Sequence, residues 1–189
     1  VTMTKRDQVF VITGAAGTGK TTVANYLREH YHLHRVVTHT TRVPRPGEQD
    51  GVDYYFETSK SIRRRKLLEM VQYDHNLYGS SLEGLQAGWE KGQDDVIVLD
   101  SKGAATYHRE LGAAAVIIFL KVSHLKMLTT RIKMRGDRAT DIKKRVEARE
   151  NRRDAKLPLS IAPFAHVVIN DDWQLTRHRL DRLMKRYGY

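Results

Sequence analysis

The run Gly14-Ala15-Ala16-Gly17-Thr18-Gly19-Lys20-Thr21 has the spacing GxxxxGK(S/T) and follows the apolar stretch Val9-Phe10-Val11-Ile12. Residues of these types in this order do one kind of chemistry well, which is holding nucleotide phosphates. The glycines let the backbone curl until successive N–H groups point inward at phosphate oxygens. Lys20 can then reach the outer phosphates, and the Thr21 hydroxyl can ligate Mg²⁺. Thr22 continues the segment into a helix, because Thr21 to Glu29 carries apolar residues at helical spacing, and the positive helix end adds to the anion site. A glycine-rich surface turn could match by accident, but it would not be bracketed by a β-branched strand and a helix.

A second constellation runs from Thr38 through Arg42-Val43-Pro44-Arg45-Pro46-Gly47-Glu48 to Asp53-Tyr54-Tyr55-Phe56. Pro44 and Pro46 fix backbone angles and restrict the residue before each, so the guanidinium groups of Arg42 and Arg45 hang from a stiff loop. Arginine binds phosphate through paired donors in a plane, and the Tyr54 phenol can add one more hydrogen bond. Taken alone, a surface loop with ordinary ion pairs fits these residues as well.

The elements that must position these groups alternate along the chain. Strand signals fall at Val9 to Ile12, Val36 to Thr38, Val52 to Phe56, Val96 to Leu99, Ala114 to Val122 and His166 to Ile169. Helical patterns include Leu82, Leu85 and Trp89, then Leu125, Leu128 and Ile132, and finally Leu175 to Leu183. The runs Val96–Leu99 and Val116–Leu120 are apolar without alternation, as in strands of a parallel sheet covered by helices on both faces. Pro158 and Pro163 bound a short irregular segment before the last strand.

The 189 residues suffice for one substantial core. Cysteine is absent, so neither disulfides nor thiolate chemistry enter. No apolar stretch is long enough to cross a bilayer, and Val1 to Asp7 lacks a signal-peptide core, so no membrane partner and a cytoplasmic location are expected. The formal net charge is +11, and its excess sits in two places. Arg131 to Lys156 holds eleven bases against five acids, Ser59 to Lys66 holds five bases and no acid, and the remainder balances at 17 each. Lys60, Arg63, Arg64, Arg65 and Lys66 are expected on the solvated face of a short helix capped by Thr58 or Ser59. A nucleic-acid binder could use such charge, but the chain carries no recognisable RNA or DNA module.

In the order of its motifs the chain resembles the guanylate kinases, enzymes that move a phosphoryl group from ATP to GMP. The anchors are Gly14 to Thr22, then Thr40 to Glu48 with Gly51, Asp53, Tyr54 and Phe56, then Glu69 followed by Asn76, Tyr78, Gly79 and Ser80. Asp100 with Gly103, Arg131, Arg135 and Gly136, Arg145, and Val168 to Asp172 complete the set. The resemblance implies an α/β P-loop nucleoside-triphosphate fold: a parallel sheet core covered by helices (1–35, 89–131 and 159–189), a GMP-binding insert (36–88) and a helical lid (132–158).

The same resemblance implies the site. Gly14, Ala15, Ala16, Gly17, Thr18, Gly19, Lys20, Thr21 and Thr22 would hold ATP, with Asn170 bordering the adenine and Thr21 on Mg²⁺. Arg42, Arg45, Tyr54 and Tyr78 would hold the GMP phosphate, with Thr38 beside it, and Glu69, Ser80 and Asp100 would read the base. Guanine presents N1–H and N2–H donors side by side, which one carboxylate can accept together, whereas adenine presents a lone pair at N1. Lys20, Arg42, Arg131, Arg135 and Arg145 would act on the charge of the transferring phosphoryl group. The chain departs from the family pattern at Val98 and Lys102, where an acid and a glutamine are usual, and at Asp137 to Asp141 in the lid. These departures keep open a catalytically weak nucleotide-binding or protein-interaction module, or a kinase of the same fold for another small phosphorylated acceptor. The residues indicate no oligomeric state.

Overall fold

The structure, a computed structural model, describes residues 7–73, 75–134, 140, 147 and 149–189. In chain order its elements are β1 (Val9–Thr13), α1 (Lys20–Tyr31), β2 (His34–Arg35), β3 (Thr38–Thr40), β4 (Tyr54–Phe56), α2 (Ser59–Ile62), β5 (Leu67–Tyr73), β6 (Asn76–Ser81) and α3 (Leu82–Trp89). There follow β7 (Asp95–Val98), α4 (Ser101–Leu111), a 3-10 turn at Gly112–Ala114, β8 (Ala115–Lys121), α5 (Lys126–Met134), α6 (Arg149–Asp154), β9 (His166–Ile169) and α7 (Trp173–Arg186).

Five parallel strands form one sheet in the order β2-β7-β1-β8-β9. β1 lies at its centre and is buried along its whole length. Alternate side chains serve opposite faces, as strand geometry requires. Phe10, Ile12, Val96, Ile118 and Leu120 pack with Leu27 of α1 and Leu180, Leu183 and Met184 of α7. Val9, Val11, Ile97, Ile117 and Phe119 pack on the other face with Leu85 of α3, Ala104 and Tyr107 of α4, and Ile161. The unbroken apolar runs of β7 and β8 thus have cover on both sides, each large buried side chain contributing about 1.5–3 kcal/mol. The loop after β1 emerges at the carboxyl edge of this sheet, where α/β sheets bind ligands.

A second sheet, in the order β4-β3-β6-β5, is mixed: β3 pairs parallel with β4 and antiparallel with β6, which pairs antiparallel with β5. Here the sequence expectation needs correction. The strand expected at Val36 to Thr38 is divided between two sheets, with His34–Arg35 beside β7 and Thr38–Thr40 beside β4 and β6. Val36 instead buries its side chain in the core and donates its N–H to the Val96 carbonyl. The strand expected from Val52 begins at Tyr54, because residues 51–53 form a turn with Gly51 at φ 76°. The largely apolar β5 and the polar β6 carry no strand expectation above, and α4 carries no helix expectation.

The basic helix is shorter than expected. α2 ends at Ile62, and Thr58 caps it in a box with Ser61, each side chain bonding the other's backbone N–H. Lys60, Arg63, Arg64, Arg65 and Lys66 are all exposed, but only Lys60 is helical, since Arg63 to Arg65 turn the chain into β5. Arg65 pairs with Glu57 at 2.8 Å. Among the described residues no helix is long and apolar enough to cross a membrane. Arg135, Arg145, Gly136 and the departure at Asp137 to Asp141 lie outside the described residues, Thr140 excepted.

Candidate active site

A cleft of about 250 Å³ is lined by Gly14, Ala16, Gly17, Gly19, Lys20 and Thr21 of the phosphate loop and the start of α1. Thr38, Arg45, Tyr54, Glu69 and Tyr78 of the second sheet and its loops line it too, with Val98, Asp100, Asn151 and Asp154. Most of the residues singled out by sequence therefore meet in one place.

The phosphate loop is built by close approach. Gly14, Gly17 and Gly19 have φ of 137°, 82° and 94°. A Cβ on Gly17 would stand 2.9 Å from the Leu128 carbonyl of α5, so only glycine permits both the turn and the packing. Lys20 donates to the carbonyls of Gly14 and Ala15 at 2.7 and 2.9 Å, spanning the loop. Ala15 and Thr18 are buried, and Thr18 donates its hydroxyl to the Ala15 carbonyl. Thr21 and Thr22 are exposed at the first turn of α1.

Asn170 is buried at the end of β9; its amide donates to the Thr18 carbonyl at 2.7 Å and accepts from Thr176 of α7. It clamps the phosphate loop to the sheet. Arg131 does not line the cleft; its guanidinium donates to the Asp171 carbonyl at 3.2 Å.

In the proline-arginine loop the two arginines differ. Arg45 is exposed and lines the cleft. Arg42 is turned into the loop: Nη2 lies 2.9 Å from both oxygens of Glu48, Nη1 donates to the Val43 carbonyl, and the guanidinium sits 5.3 Å from the Tyr54 ring centre. The stiffness expected from the prolines is supplemented by Glu48, which also accepts the Arg45 backbone N–H at 2.8 Å. Tyr54 and Tyr78 stand edge to face at 6.3 Å.

Glu69 is the most unusual group in the cleft. A register shift between Leu67 and Glu69 puts it directly across from Ser80 on β6. The absence of a side chain at Gly79 lets β5 approach, since a Cβ there would stand 2.9 Å from the Glu69 carbonyl. Glu69 is 5% exposed; Oε1 accepts from the Ser80 hydroxyl at 3.0 Å, while Oε2 is buried with no hydrogen-bond partner among the described residues. Burial, reinforced by the nearby Asp100 charge and opposed by the Ser80 hydrogen bonds, pushes its carboxyl up to about 7. An orphaned buried carboxylate oxygen is costly unless something donates to it.

Asp100 has a dual engagement that its motif did not reveal. Oδ1 caps α4 by accepting the Gly103 N–H at 2.8 Å, and Oδ2 accepts from Arg153 at 2.8 Å. Lys102 points to solvent, and Val98 is half-buried in the cleft wall.

The guanylate kinase family profile matches residues 6–187 of this chain. The chain belongs to the guanylate kinase family. A guanylate kinase of Synechococcus sp. (strain JA-3-3Ab) is 35% identical over 185 residues, covering 95% of this chain and 82% of that protein. One from Thermus thermophilus is 37% identical over 172 residues, covering 88% and 75%. The crystal structure of guanylate kinase from Anaplasma phagocytophilum superposes with a TM-score of 0.71 at 22% identity, covering 98% of this chain and 88% of that one, and shares the fold.

Within this guanylate-kinase fold several cleft residues were not foreseen. Asn151 of α6 is buried and accepts the Ala16 N–H of the phosphate loop at 2.6 Å. Arg153 bridges Asp100 and Asp154, donating from Nε to Asp154 at 2.7 Å, and Asp154 in turn accepts from the Ser101 hydroxyl. These carboxylates and the hydrogen bonds they accept hold the Arg153 guanidinium more firmly protonated than usual, against its own burial. α6 is thereby tied both to the phosphate loop and to the start of α4. In sequence, Arg152 and Arg153 are alike; the fold leaves the first exposed and pairs the second.

Proposed function

We propose that this chain transfers the γ-phosphoryl group of ATP to GMP, giving ADP and GDP. The observation that carries the proposal is the unpartnered Oε2 of Glu69, buried in the same cleft as the phosphate loop. Guanine's adjacent N1–H and N2–H would supply the missing donors, while adenine would set a lone pair against a carboxylate.

In this reading the loop Gly14 to Thr22 holds the ATP phosphates, with Asn170 keeping the loop in place near the adenine. Arg45, Tyr54 and Tyr78, with Thr38 beside them, hold the GMP phosphate. Arg42 reaches that phosphate by exchanging its contact with Glu48. Ser80 and Asp100 flank the base read by Glu69, and Arg131, Arg135 and Arg145 belong to the lid side of the donor phosphates. In this reading the insert spans 36–88 and the lid spans 132–158.

An oxygen of the GMP phosphate attacks the γ phosphorus, and the bond from that phosphorus to the β–γ bridging oxygen breaks, leaving ADP with the electron pair. The acceptor phosphate is already a nucleophile, so no general base is needed. Lys20 follows the charge as it moves toward the leaving oxygen. Among the described residues no three His, Cys, Asp or Glu side chains cluster to hold a metal. An exposed Thr21 hydroxyl at the loop suits Mg²⁺ that arrives with ATP and is held mainly by phosphates and water. It would neutralise charge on those phosphates.

A coupled assay with ATP, Mg²⁺ and each of GMP, dGMP, AMP and UMP tests the proposal. GMP is expected to be strongly preferred over AMP and UMP. Turnover of AMP or UMP at the GMP rate would reject it, and so would binding of GMP without turnover, which fits an interaction module.

A further inference from the structure

We propose that Asn151 is a phosphate-binding residue of the donor site, delivered by α6 to the terminal phosphate of ATP, with which it exchanges one N–H of the loop. The proposal rests on the reading of Gly14 to Thr22 as the ATP site and adds a residue to it. Asn151 is 5% exposed, lines the cleft beside the loop, and accepts the Ala16 N–H at 2.6 Å. A backbone N–H can only donate, so the amide oxygen is the atom that faces it.

α6 has other anchors than this contact. Asn151 and Asp154 are three residues apart and so share a face of the helix. Asp154, 3% exposed, accepts from the Ser101 hydroxyl and from Arg153, which also reaches Asp100. Those contacts fasten the helix to the start of α4 and bring Asn151 to the loop. The N–H that Asn151 occupies belongs to the loop whose backbone donors make the anion site. Lys20 spans the carbonyls of Gly14 and Ala15, the two residues before Ala16, at 2.7 and 2.9 Å. Ala16 therefore lies where Lys20 acts, at the outer phosphates.

A phosphate oxygen and Asn151 Oδ1 are both acceptors, and one N–H cannot serve both in good geometry. An amide resolves the conflict. Turned about its last torsion, it presents its NH₂ to the oxygen that has displaced its carbonyl. Asparagine thus satisfies the loop and then binds the phosphate. An aspartate of the same size would satisfy the loop as well, but would set charge against charge when the phosphate arrives.

The test measures binding of ATP and of ADP, each with Mg²⁺ and without GMP, to wild type, Asn151→Ala and Asn151→Asp by calorimetry, with urea unfolding to show that each variant is folded. Asn151→Ala is expected to weaken ATP about tenfold, the effect of losing one hydrogen bond to a charged group, and ADP about twofold at most. Asn151→Asp is expected to weaken ATP further, by about thirtyfold or more, with ADP affected at least about threefold less. A residue that only braces the loop would show the reverse order, because aspartate keeps the acceptor and alanine does not, and would affect both nucleotides alike. Asn151→Asp binding ATP at least as well as Asn151→Ala overturns the proposal, and so do equal losses for ATP and ADP. If Asn151→Asp fails to fold, the comparison of ATP with ADP in Asn151→Ala decides alone. Wild-type protein that binds neither nucleotide would instead reject the phosphate-loop reading on which the proposal stands.

Discussion

Replacing Glu69 with glutamine separates the two properties that make this side chain unusual, its charge and its burial. Oε1 is committed to Ser80 and Oε2 has no partner among the described residues, so guanine's donors must meet a group that is already half occupied. A glutamine facing them with its oxygen keeps one acceptor, and one facing them with its NH₂ sets donor against donor. Either way at least one charge-assisted hydrogen bond is lost, worth about 1.5–3 kcal/mol, or roughly 10- to 150-fold in kcat/KM for GMP.

The pH dependence has a definite sign. Glu69 titrates near 7, so wild-type kcat/KM for GMP is expected to rise with pH to a plateau above about 7, because only the ionised form accepts both donors. The second ionisation of the GMP phosphate, near 6, is common to both proteins, and the glutamine variant supplies that baseline. Stability runs the other way. The folded value lies above the unfolded 4.5, so the native state holds the proton more tightly, and stability falls as pH rises from about 4.5 through about 7. The loss is about 3 kcal/mol for a group this buried, and Glu69→Gln removes it. Steady-state kinetics from pH 5.5 to 9, with urea unfolding at pH 5 and 8, measure both effects. A variant within twofold of wild type, with the same pH profile and the same pH dependence of stability, would refute the reasoning.

Lys20→Ala is expected to cut kcat by about 10² or more in a protein that still folds; near-normal turnover would contradict this. Arg45→Ala is expected to raise the KM for GMP roughly tenfold or more, with the KM for ATP unchanged and stability untouched, because the side chain is exposed in the cleft. Arg42→Ala is expected to do the same and to destabilise the protein as well, having lost the anchor to Glu48 and the contact with Tyr54; calorimetry separates the two variants. Arg153→Ala leaves Asp100 and Asp154 without their cation. Since the guanidinium is a quarter exposed, the expected loss is about 2–4 kcal/mol, at or below the fully buried range, and chemical denaturation measures it.

The parts of this molecule legible in the sequence are those where one residue type has one physical reason to be present. Glycines at positive φ, a lysine after them and an apolar strand before them gave the phosphate loop, and the unbroken apolar runs gave the parallel sheet. β5 and β6 were illegible because their stability comes from pairing with each other and with β3, across polar residues such as Glu69, Gln72, Asn76 and Ser80 that carry no strand periodicity. α4 starts at Asp100, which serves as a helix cap and an ion-pair partner. Asp-x-x-Gly before an Ala-rich stretch is the signal that could have marked its start. Asn151 and Arg153 were invisible for a different reason. Each takes its role from a partner 53 to 135 residues away, and nothing local distinguishes Arg153 from its exposed neighbour Arg152.

The central claim is that this chain moves phosphate from ATP to GMP, and following the phosphorus tests it most directly. With γ-labelled ATP, GMP and Mg²⁺, purified protein is expected to place the label on the β position of GDP, one GDP for each ADP, with far less label on ADP when AMP replaces GMP. Label released as inorganic phosphate without GDP, or no label transferred although GMP binds, would contradict the claim.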